Sequence, residues 1–294
     1  MSAARSPASF YGLVESDLDE LRRRLRDVGR GAHPTFAAAA MHLFATPGKL
    51  LRPTLVFLSA RFGPNPPGRM TVDLAESLEL VHTASLVHDD IVDRAALRRN
   101  VATVNAVWDD DVALIVGDYL FAKAYALAAV LPKPEVIAMV AQTVFALCDG
   151  ELAEVAAPER MPNEVEYLER IELKTASLYA ACCQGSAILA DAEPEHVAAL
   201  GAYGTNLGLA FQVIDDVLDL VGDEGDLGKE VAHKDAGEMR ELLAVIRGSG
   251  GVERARERAR GFHDAAVAAL EALPARPERE ALRDIADFVL TRER

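Results

Sequence analysis

The sequence predicts an all-α protein, a large bundle of about ten or more helices, and three observations support this. Ala, Leu, Glu and Arg, which are strong helix formers, dominate the 294 residues, and the alternation of apolar and polar residues that is typical of strands is nearly absent. Loop signals rich in Pro and Gly are sparse and leave intervals that fit helices. Hydrophobic residues make up 50% of the chain, which is ample for a large core.

The predicted helices lie between short segments rich in Gly, Pro, Asn and Asp. In chain order these breaks are 46–53, 62–69, 131–134, 157–164, 191–195, 222–230, 248–251 and 273–278. Between them, residues 161–190 show the helical pattern well, because Asn163 is a candidate N-cap, acidic residues follow it, and apolar residues then recur at helical spacing. No break is long enough to separate domains, so we expect a single domain over 1–294.

The chain is strongly acidic, with 31 basic and 46 acidic side chains and a net charge of −15. This balance argues against nucleic acid as a partner, although phosphate ligands remain compatible if divalent metal ions lie between the charges. The cysteines Cys148, Cys182 and Cys183 have no disulfide or zinc-finger spacing, and we interpret them as small buried hydrophobic residues. The sequence has no secretory signal pattern and no charge-free run long enough to span a bilayer, which predicts a cytoplasmic protein without a transmembrane segment.

The pattern Asp-Asp-x-x-Asp occurs twice, each time at the end of an apolar run. Its six carboxylates belong to Asp89, Asp90, Asp93, Asp215, Asp216 and Asp219. Within each copy, residues i and i+4 share a helix face, where like charges repel each other unless a cation lies between them. One copy alone is as readily surface charge, but two copies predict a site for hard divalent ions, in particular Mg²⁺ completed by phosphate oxygens. A di-iron centre would need paired Glu-x-x-His motifs, which we do not find.

Basic residues follow each motif, and others occur elsewhere in the chain. They are Lys49 and Arg52, Arg98 and Arg99, Lys174 before Thr175, and Lys229. Each alone is more typical of a solvated charge. Together they predict two bound diphosphates, one held through metal ions and one through Arg and Lys side chains.

These motifs resemble the trans-isoprenyl diphosphate synthases, the polyprenyl synthetase family, over most of the chain. The matching pieces occur in family order and read "GKLLRP", "ELVHTASLVHDDIVD", "RR", "GDYL", "KTASL", "FQVIDDVLDLVGDEGDLGK" and "IADFVLTRER". The resemblance implies the isoprenoid synthase bundle with a deep central cavity, a homodimer, and head-to-tail condensation of isopentenyl diphosphate with an allylic diphosphate.

The resemblance also implies roles for individual residues. The six aspartates would hold three Mg²⁺ ions on the allylic diphosphate. The other residues of the catalytic set would be Arg98, Lys174, Thr175, Gln212 and Lys229. Isopentenyl diphosphate would be bound by Lys49, Arg52, His82 and Arg99. Cations that neutralise the departing diphosphate would allow the C–O bond to break, and diphosphate itself would be the base.

Product length is expected to depend on Ala84 and Ser85, which are small residues about one helical turn before the first motif. Short-chain enzymes of the family tend to place an aromatic side chain there, so we expect a product of C20 or longer. The alternative is a stopper from another helix, near Phe121, Tyr125 or Phe145. Departures from the family pattern are Leu50, Arg94, Asn100 and the stretch 228–243.

Two other functions are compatible with parts of the pattern. A class I terpene cyclase-like enzyme ionises the same kind of diphosphate but needs no isopentenyl diphosphate site. A regulatory subunit of a heteromeric prenyl diphosphate synthase typically loses the aspartates. The four predicted isopentenyl diphosphate ligands argue against the first function, and the six aspartates argue against the second.

Overall fold

The computed structural model describes residues 8–45, 48–65, 67–98, 100–156, 162–221 and 249–292. The helices are α1 (Ala8–Tyr11), α2 (Glu15–Arg26), α3 (Pro34–Phe44), α4 (Leu51–Ala60), α5 (Arg69–Val92), α6 (Val104–Val107), α7 (Asp110–Ala129), α8 (Pro134–Val155), α9 (Glu164–Ile171), α10 (Ser177–Ala180), α11 (Ser186–Leu189), α12 (Pro194–Val221), α13 (Gly251–Ala269) and α14 (Pro277–Thr291). Strands β1 (Leu97–Arg98) and β2 (Val101–Ala102) form a small antiparallel hairpin. The predicted all-α class is confirmed.

The two motif-bearing helices, α5 and α12, are central to the bundle. Helix α5 packs against α4 and α7, and α12 packs against α10 and α13. Their sequences are apolar on most sides, as expected of helices that are surrounded by others. Among the largest fully buried side chains, Tyr203 of α12 donates a hydrogen bond from Oη to the Leu282 carbonyl oxygen of α14 at 2.7 Å. This bond links α12 to the last helix of the described chain.

A nearly continuous helical segment runs from α9 to α11 and contains two π-helical turns, Glu172–Ala176 and Ala181–Gly185. The predicted N-cap of this segment is confirmed, because Asn163 Oδ1 accepts hydrogen bonds from the backbone N–H groups of Val165 and Glu166. A π-helical turn inserts a residue and so changes which side chains share a face, and such turns are frequent at functional sites.

Helix α12 approaches this segment closely because glycines face it. A Cβ atom on Gly208 would lie 2.5 Å from the Ala176 Cα atom, and one on Gly204 would lie 2.7 Å from the Tyr179 carbonyl oxygen. Any larger residue at these positions must move one helix away from the other. Gly208 therefore allows α12 to approach the first π-helical turn, and Gly204 allows it to approach α10.

Three helices among the described residues, α7, α8 and α12, are long and apolar enough to cross a membrane by length and composition alone. From the sequence we expected no charge-free run long enough to span a bilayer. These helices differ from that expectation because an apolar stretch with up to two charged residues is still apolar enough to cross a membrane. In α7 and α8 only 33% and 28% of the apolar window is buried, compared with 61% in α12. Much of the apolar surface of α7 and α8 consequently faces outward.

The cysteines behave differently from one another. Cys182 and Cys183 are buried, as expected, but Cys148 is exposed on α8, so the interpretation of that residue as a buried hydrophobe is wrong. It lies between Phe145 and Leu152, which are also exposed, on the outward side of α8. Helical periodicity alone cannot tell an apolar face that packs inside the bundle from one that points out of it.

We predict that Gly208→Ala lowers the free energy of unfolding by about 1–3 kcal/mol, because its new methyl group overlaps the backbone at Ala176. Gly261→Ala is the matched control, since a Cβ atom there meets nothing within 4 Å and the residue is exposed in α13. That control should gain up to about 1 kcal/mol from helix propensity. Denaturant unfolding followed by circular dichroism measures both changes, and equal midpoints would contradict the close approach.

Candidate active site

The first motif lies at the C-terminal end of α5, where the chain turns back over it. Arg94 follows the motif with a φ of 52°, and the hairpin then returns Arg98, whose Nε donates to Asp90 Oδ1 at 2.8 Å. Asn105 Nδ2 donates to the Asp90 carbonyl oxygen at 3.3 Å. Burial raises the pKa of Asp90, and the Arg98 guanidinium opposes that rise. Arg98 is thus positioned as the cation of the first motif.

A second cation reaches the first motif from the π-helical turn. Lys174 Nζ lies 2.6 Å from Glu151 Oε2 and 2.8 Å from Glu154 Oε2, both on α8. Burial lowers the pKa of Lys174, but these two carboxylates outweigh burial and raise its pKa above the ordinary value. A Cβ atom on Gly150 of α8 would lie 2.9 Å from the Lys174 backbone nitrogen, so α8 approaches the turn closely there.

Asp89 has the largest pKa shift in the first motif. Burial first, and then the nearby Glu151 carboxylate, raise its pKa to about 7, while the Lys174 and Arg98 charges oppose the rise. Burial also raises the pKa of Asp93. The first motif is therefore a set of carboxylates with too little positive charge around it, which is the environment that attracts a divalent cation.

The second motif is held by donors from three different elements. Asp215 Oδ1 accepts from Arg292 Nη2 at 2.8 Å, just beyond the end of α14. Asp216 Oδ1 accepts from Gln212 Nε2 at 2.8 Å, and Asp216 Oδ2 accepts from Tyr167 Oη at 2.5 Å. Burial raises the pKa of Asp216, although the hydrogen bonds from Tyr167 and Gln212 lower it. Asp219, the third aspartate, is exposed.

The first π-helical turn connects the two motifs. Lys174 is the cation beside Asp89, whereas the next residue, Thr175, donates from Oγ1 to Gln212 Oε1 at 2.7 Å. Gln212 in turn donates to Asp216. Two consecutive residues are thus coupled to the two aspartate motifs, Lys174 through its charge on Asp89 and Thr175 through the Gln212 hydrogen bond to Asp216.

The predicted isopentenyl diphosphate residues gather around aromatic rings. Arg52 Nη1 lies 3.1 Å from His82 Nε2, and the Arg52 guanidinium lies 4.6 Å from the ring centroid of Tyr179. The Tyr179 and Phe211 rings are 5.4 Å apart, and the Arg292 guanidinium lies 3.8 Å from the Phe211 ring. Within the described part of the chain, the buried atoms Arg52 Nε, Tyr179 Oη and Arg292 Nε have no hydrogen-bond partner. Unpaired cationic donors of this kind fit an anionic ligand.

The Lys49 ammonium lies 5.7 Å from the ring centroid of Phe288 on α14. Arg99 and Lys229 lie outside the described residues, and so does the divergent stretch 228–243. Their roles remain predictions.

The donor chemistry fits Mg²⁺ although the protein builds no closed cage for it. Within the described ranges, no three Asp, Glu, His or Cys side chains converge into a group that could hold a metal ion alone. Mg²⁺ usually takes one or two carboxylates and completes its shell with water and substrate phosphates. Two separate carboxylate motifs that share one site match that requirement.

The residues expected to govern product length differ in their surroundings. Ser85 is half-buried and lies about 40° around α5 from Asp89, whereas Ala84 is fully buried and lies about 140° away. The Ala84 side faces α7, because Ser77 Oγ donates to the Ala124 carbonyl oxygen and the His88 ring contacts Phe121 there.

The alternative aromatic stoppers also differ from one another. Phe121 lies against His88, with ring centroids 5.7 Å apart. Tyr125 and Phe145 are 38% and 71% exposed.

A charged cleft of about 530 Å³ between α2, α5 and α7 is separate from this site. Its wall includes Leu80 and Glu76, and Leu80 lies about 180° around α5 from Asp89. The cleft is therefore on the far side of α5 from the aspartates.

The sequence interpretation missed four residues that contact the predicted site. They are Glu151, Glu154, Tyr167 and Arg292. The "GELAE" stretch places two carboxylates three residues apart in an apolar helix, a signal that could have been used. Tyr167 and Arg292 carry no comparable local signal, because each meets the site through tertiary packing.

Comparisons with known proteins agree with the geometry. The polyprenyl synthetase family profile matches residues 33–249. A heptaprenyl diphosphate synthase component 2 of Geobacillus stearothermophilus is 33% identical over 97% of this chain and 98% of its own length. A short chain isoprenyl diphosphate synthase of Methanothermobacter thermautotrophicus is 36% identical over 94% and 95%. The crystal structure of a Caulobacter crescentus polyprenyl synthase complexed with calcium and isoprenyl diphosphate covers 99% of both chains, with 29% identity and a TM-score of 0.91.

We predict that divalent metal binding weakens as the pH falls through about 7, because a proton on Asp89 competes with the metal ion. The same shift makes the metal-free fold less stable as the pH rises from about 4 towards 7, since the unfolded chain releases a proton that the folded chain retains. Glu151→Gln should move the midpoint of the metal-binding profile to lower pH. Calorimetric Mg²⁺ titrations between pH 5.5 and 8.5 measure this.

Glu154→Gln is the comparison, because Glu154 also pairs with Lys174 but acts on the pKa of Asp93, whereas Glu151 is the main charge that raises the pKa of Asp89. Its midpoint should move less. Identical profiles for the unaltered protein and Glu151→Gln would contradict the role of Glu151.

Proposed function

Because the chain belongs to the polyprenyl synthetase family and is a trans-prenyltransferase, we propose that it condenses isopentenyl diphosphate head-to-tail with an allylic diphosphate to give an all-trans polyprenyl diphosphate. One observation carries this proposal more than any other. Consecutive residues of the π-helical turn are coupled to both aspartate motifs, since the Lys174 charge acts on Asp89 and Thr175 is linked to Asp216 through Gln212, which supports a single site.

The aspartate motifs would bind the allylic substrate. The family depends on Mg²⁺, and the Caulobacter crescentus relative was crystallised with calcium, which is also a hard cation. Three Mg²⁺ ions held by the six aspartates would supply the positive charge that stabilises the departing diphosphate. Arg98 and Lys174 lie beside the first motif and add fixed positive charge to the same group. Lys229 is proposed to join them.

The cluster of Arg52 and His82 would bind isopentenyl diphosphate, together with Lys49 and Arg99. The unpaired Arg52 Nε supports this assignment, because an arginine held on an aromatic face still has donors for a diphosphate. A terpene cyclase ionises one substrate and has no use for this second basic cluster.

The product is proposed to be C20 or longer. The similar proteins include a heptaprenyl diphosphate synthase component and a short chain isoprenyl diphosphate synthase, so their names cover a wide range of product lengths. Among the two small residues expected to govern length, Ser85 lies on the aspartate side of α5 and Ala84 on the α7 side. Ser85 is therefore the better placed to line a channel for the growing chain.

We predict that Ser85→Phe shortens the product, because an aromatic ring there would block a channel that starts at Asp89. The measurement is chromatography of the products from isopentenyl diphosphate, farnesyl diphosphate and Mg²⁺. Ala84→Phe is the matched comparison, and it should mainly destabilise the α5–α7 contact by about 1–3 kcal/mol through overpacking.

If the unaltered protein yields no elongated product, the proposed activity fails. If Ser85→Phe and the unaltered protein give the same product distribution, this face of α5 is not the channel wall.

A two-component enzyme is the second candidate, because one relative is named component 2. In that case this chain would be the catalytic component, since it carries both aspartate motifs. The assay with the purified chain alone separates the candidates, because only a self-sufficient enzyme elongates farnesyl diphosphate without a partner.

A homodimer is proposed from the outward apolar faces of α7 and α8. Exposed large side chains on these helices include Leu114, Ile115, Phe145, Leu152 and Val155, at 50%, 64%, 71%, 64% and 50% exposure. Large exposed apolar side chains on two neighbouring helices support an interaction surface here. A second copy of the chain would bury the outward faces of α7 and α8. That burial would explain why these two helices expose apolar residues in a chain that we propose to be a single cytoplasmic domain.

We predict that Phe145→Glu converts the dimer to a monomer, because a buried unpaired carboxylate is costly at an interface. Light scattering coupled to size-exclusion chromatography gives the mass. Met41→Glu on α3 is the control, since Met41 is equally exposed, at 70%, but lies on another helix. A mass that is unchanged by Phe145→Glu would show that this face is not the subunit interface.

A further inference from the structure

Tyr167 is half-buried on α9 and reaches the second aspartate motif from a separate helix. Its Oη donates to Asp216 Oδ2 at 2.5 Å, which is the short distance typical of a hydroxyl donating to an ionised carboxylate. The other oxygen, Asp216 Oδ1, accepts from Gln212 Nε2 at 2.8 Å. Asp216 therefore has a neutral protein donor on each carboxylate oxygen.

Two donors fix a carboxylate more completely than one. A carboxylate has about four lone-pair sites, so one donor on each oxygen leaves a site on each oxygen for a metal ion. Because the donors come from α9 and α12, rotation of the Asp216 carboxylate would break at least one hydrogen bond. Asp215 is different, since its protein donor among the described residues is the charged Arg292, which competes with a cation.

Tyr167 itself is well anchored. Its ring packs against an apolar cluster that includes Leu209, Val213 and Ile214 of α12. The N-cap at Asn163 fixes the start of α9, four residues earlier. The ring is thus held by packing that does not depend on the hydroxyl, so the hydroxyl can be removed without removing the anchor.

We propose that Tyr167 is a positioning residue that holds Asp216 in its metal-binding orientation. This inference rests on the proposed function of the aspartate motifs. Residues that orient metal ligands through hydrogen bonds typically contribute 10–100-fold to metal affinity or activity. In this proposal Tyr167 acts through the hydrogen bond to Asp216 Oδ2.

The test is Tyr167→Phe, which keeps the ring and removes the donor. Direct Mg²⁺ or Mn²⁺ titration in the presence of inorganic pyrophosphate should show affinity reduced about 10–100-fold. The Mg²⁺ concentration for half-maximal turnover should rise in parallel, while kcat at saturating Mg²⁺ and the melting temperature stay close to those of the unaltered protein.

Tyr119→Phe is the control, because Tyr119 on α7 stacks on Phe36 of α3 with ring centroids 4.0 Å apart, and its ring is not the donor to Asp216. A double-mutant cycle completes the test. In an Asp216→Asn background, Tyr167→Phe should have little further effect on metal affinity, since its target carboxylate is gone.

Unchanged metal affinity in Tyr167→Phe would overturn the inference, and so would a full additional loss in the Asp216→Asn background. A lower melting temperature with kcat reduced at every Mg²⁺ concentration would show a structural role instead. Metal titration does not require turnover, so failure of the proposed activity in the unaltered protein is distinguishable from failure of this inference.

Discussion

The burial of carboxylates at the ends of apolar helices is the constraint on which the rest of this structure depends. Charged groups are costly to bury without partners, and each partly buried aspartate of the two motifs is approached by a group from another element. Arg98 comes from the hairpin, Lys174 from the π-helical turn and Arg292 from beyond α14. Even so, burial raises the pKa values of Asp89, Asp90, Asp93 and Asp216. The cationic side chains of the protein therefore do not fully compensate the negative charge of these carboxylates. Metal ions with a diphosphate are suited to do so.

The first π-helical turn explains how one short segment serves both motifs. In a regular helix, adjacent side chains point about 100° apart, and the inserted residue of a π-helical turn changes that relationship locally. Glycines on both flanking helices, Gly150 and Gly208, allow α8 and α12 to approach the turn. Lys174 and Thr175 thereby sit between α8 and α12, and the Lys174 charge acts on Asp89 of α5. The close helix packing that these glycines allow therefore also sets the positions of the Lys174 and Thr175 side chains.

The positions that depart from the family pattern share a backbone property. Leu50, Arg94 and Asn100 have φ values of 49°, 52° and 63°, which lie in the left-handed region. Asn tolerates this region, so Asn100 adopts it at small cost, whereas Leu50 and Arg94 are less favourable there by about 1–2 kcal/mol each. Both residues adjoin the site, since Leu50 precedes α4 and Arg94 follows the first motif. Strain of this size persists where the surrounding structure holds the backbone in place.

The sequence by itself determined the helical class, the Asn163 cap and the two aspartate motifs, because helix propensity, capping and i, i+4 spacing are local properties. It also marked Arg52, His82, Arg98 and Lys174 as candidates, through their position in a collinear pattern. Only the tertiary structure decided which groups face those residues. The contacts of Tyr167 and Arg292 with the second motif join residues 49 and 77 positions apart, and the outward direction of Cys148 depends on which neighbours α8 lacks. Local pattern fixes which side of a helix is apolar, but only packing decides what that side meets.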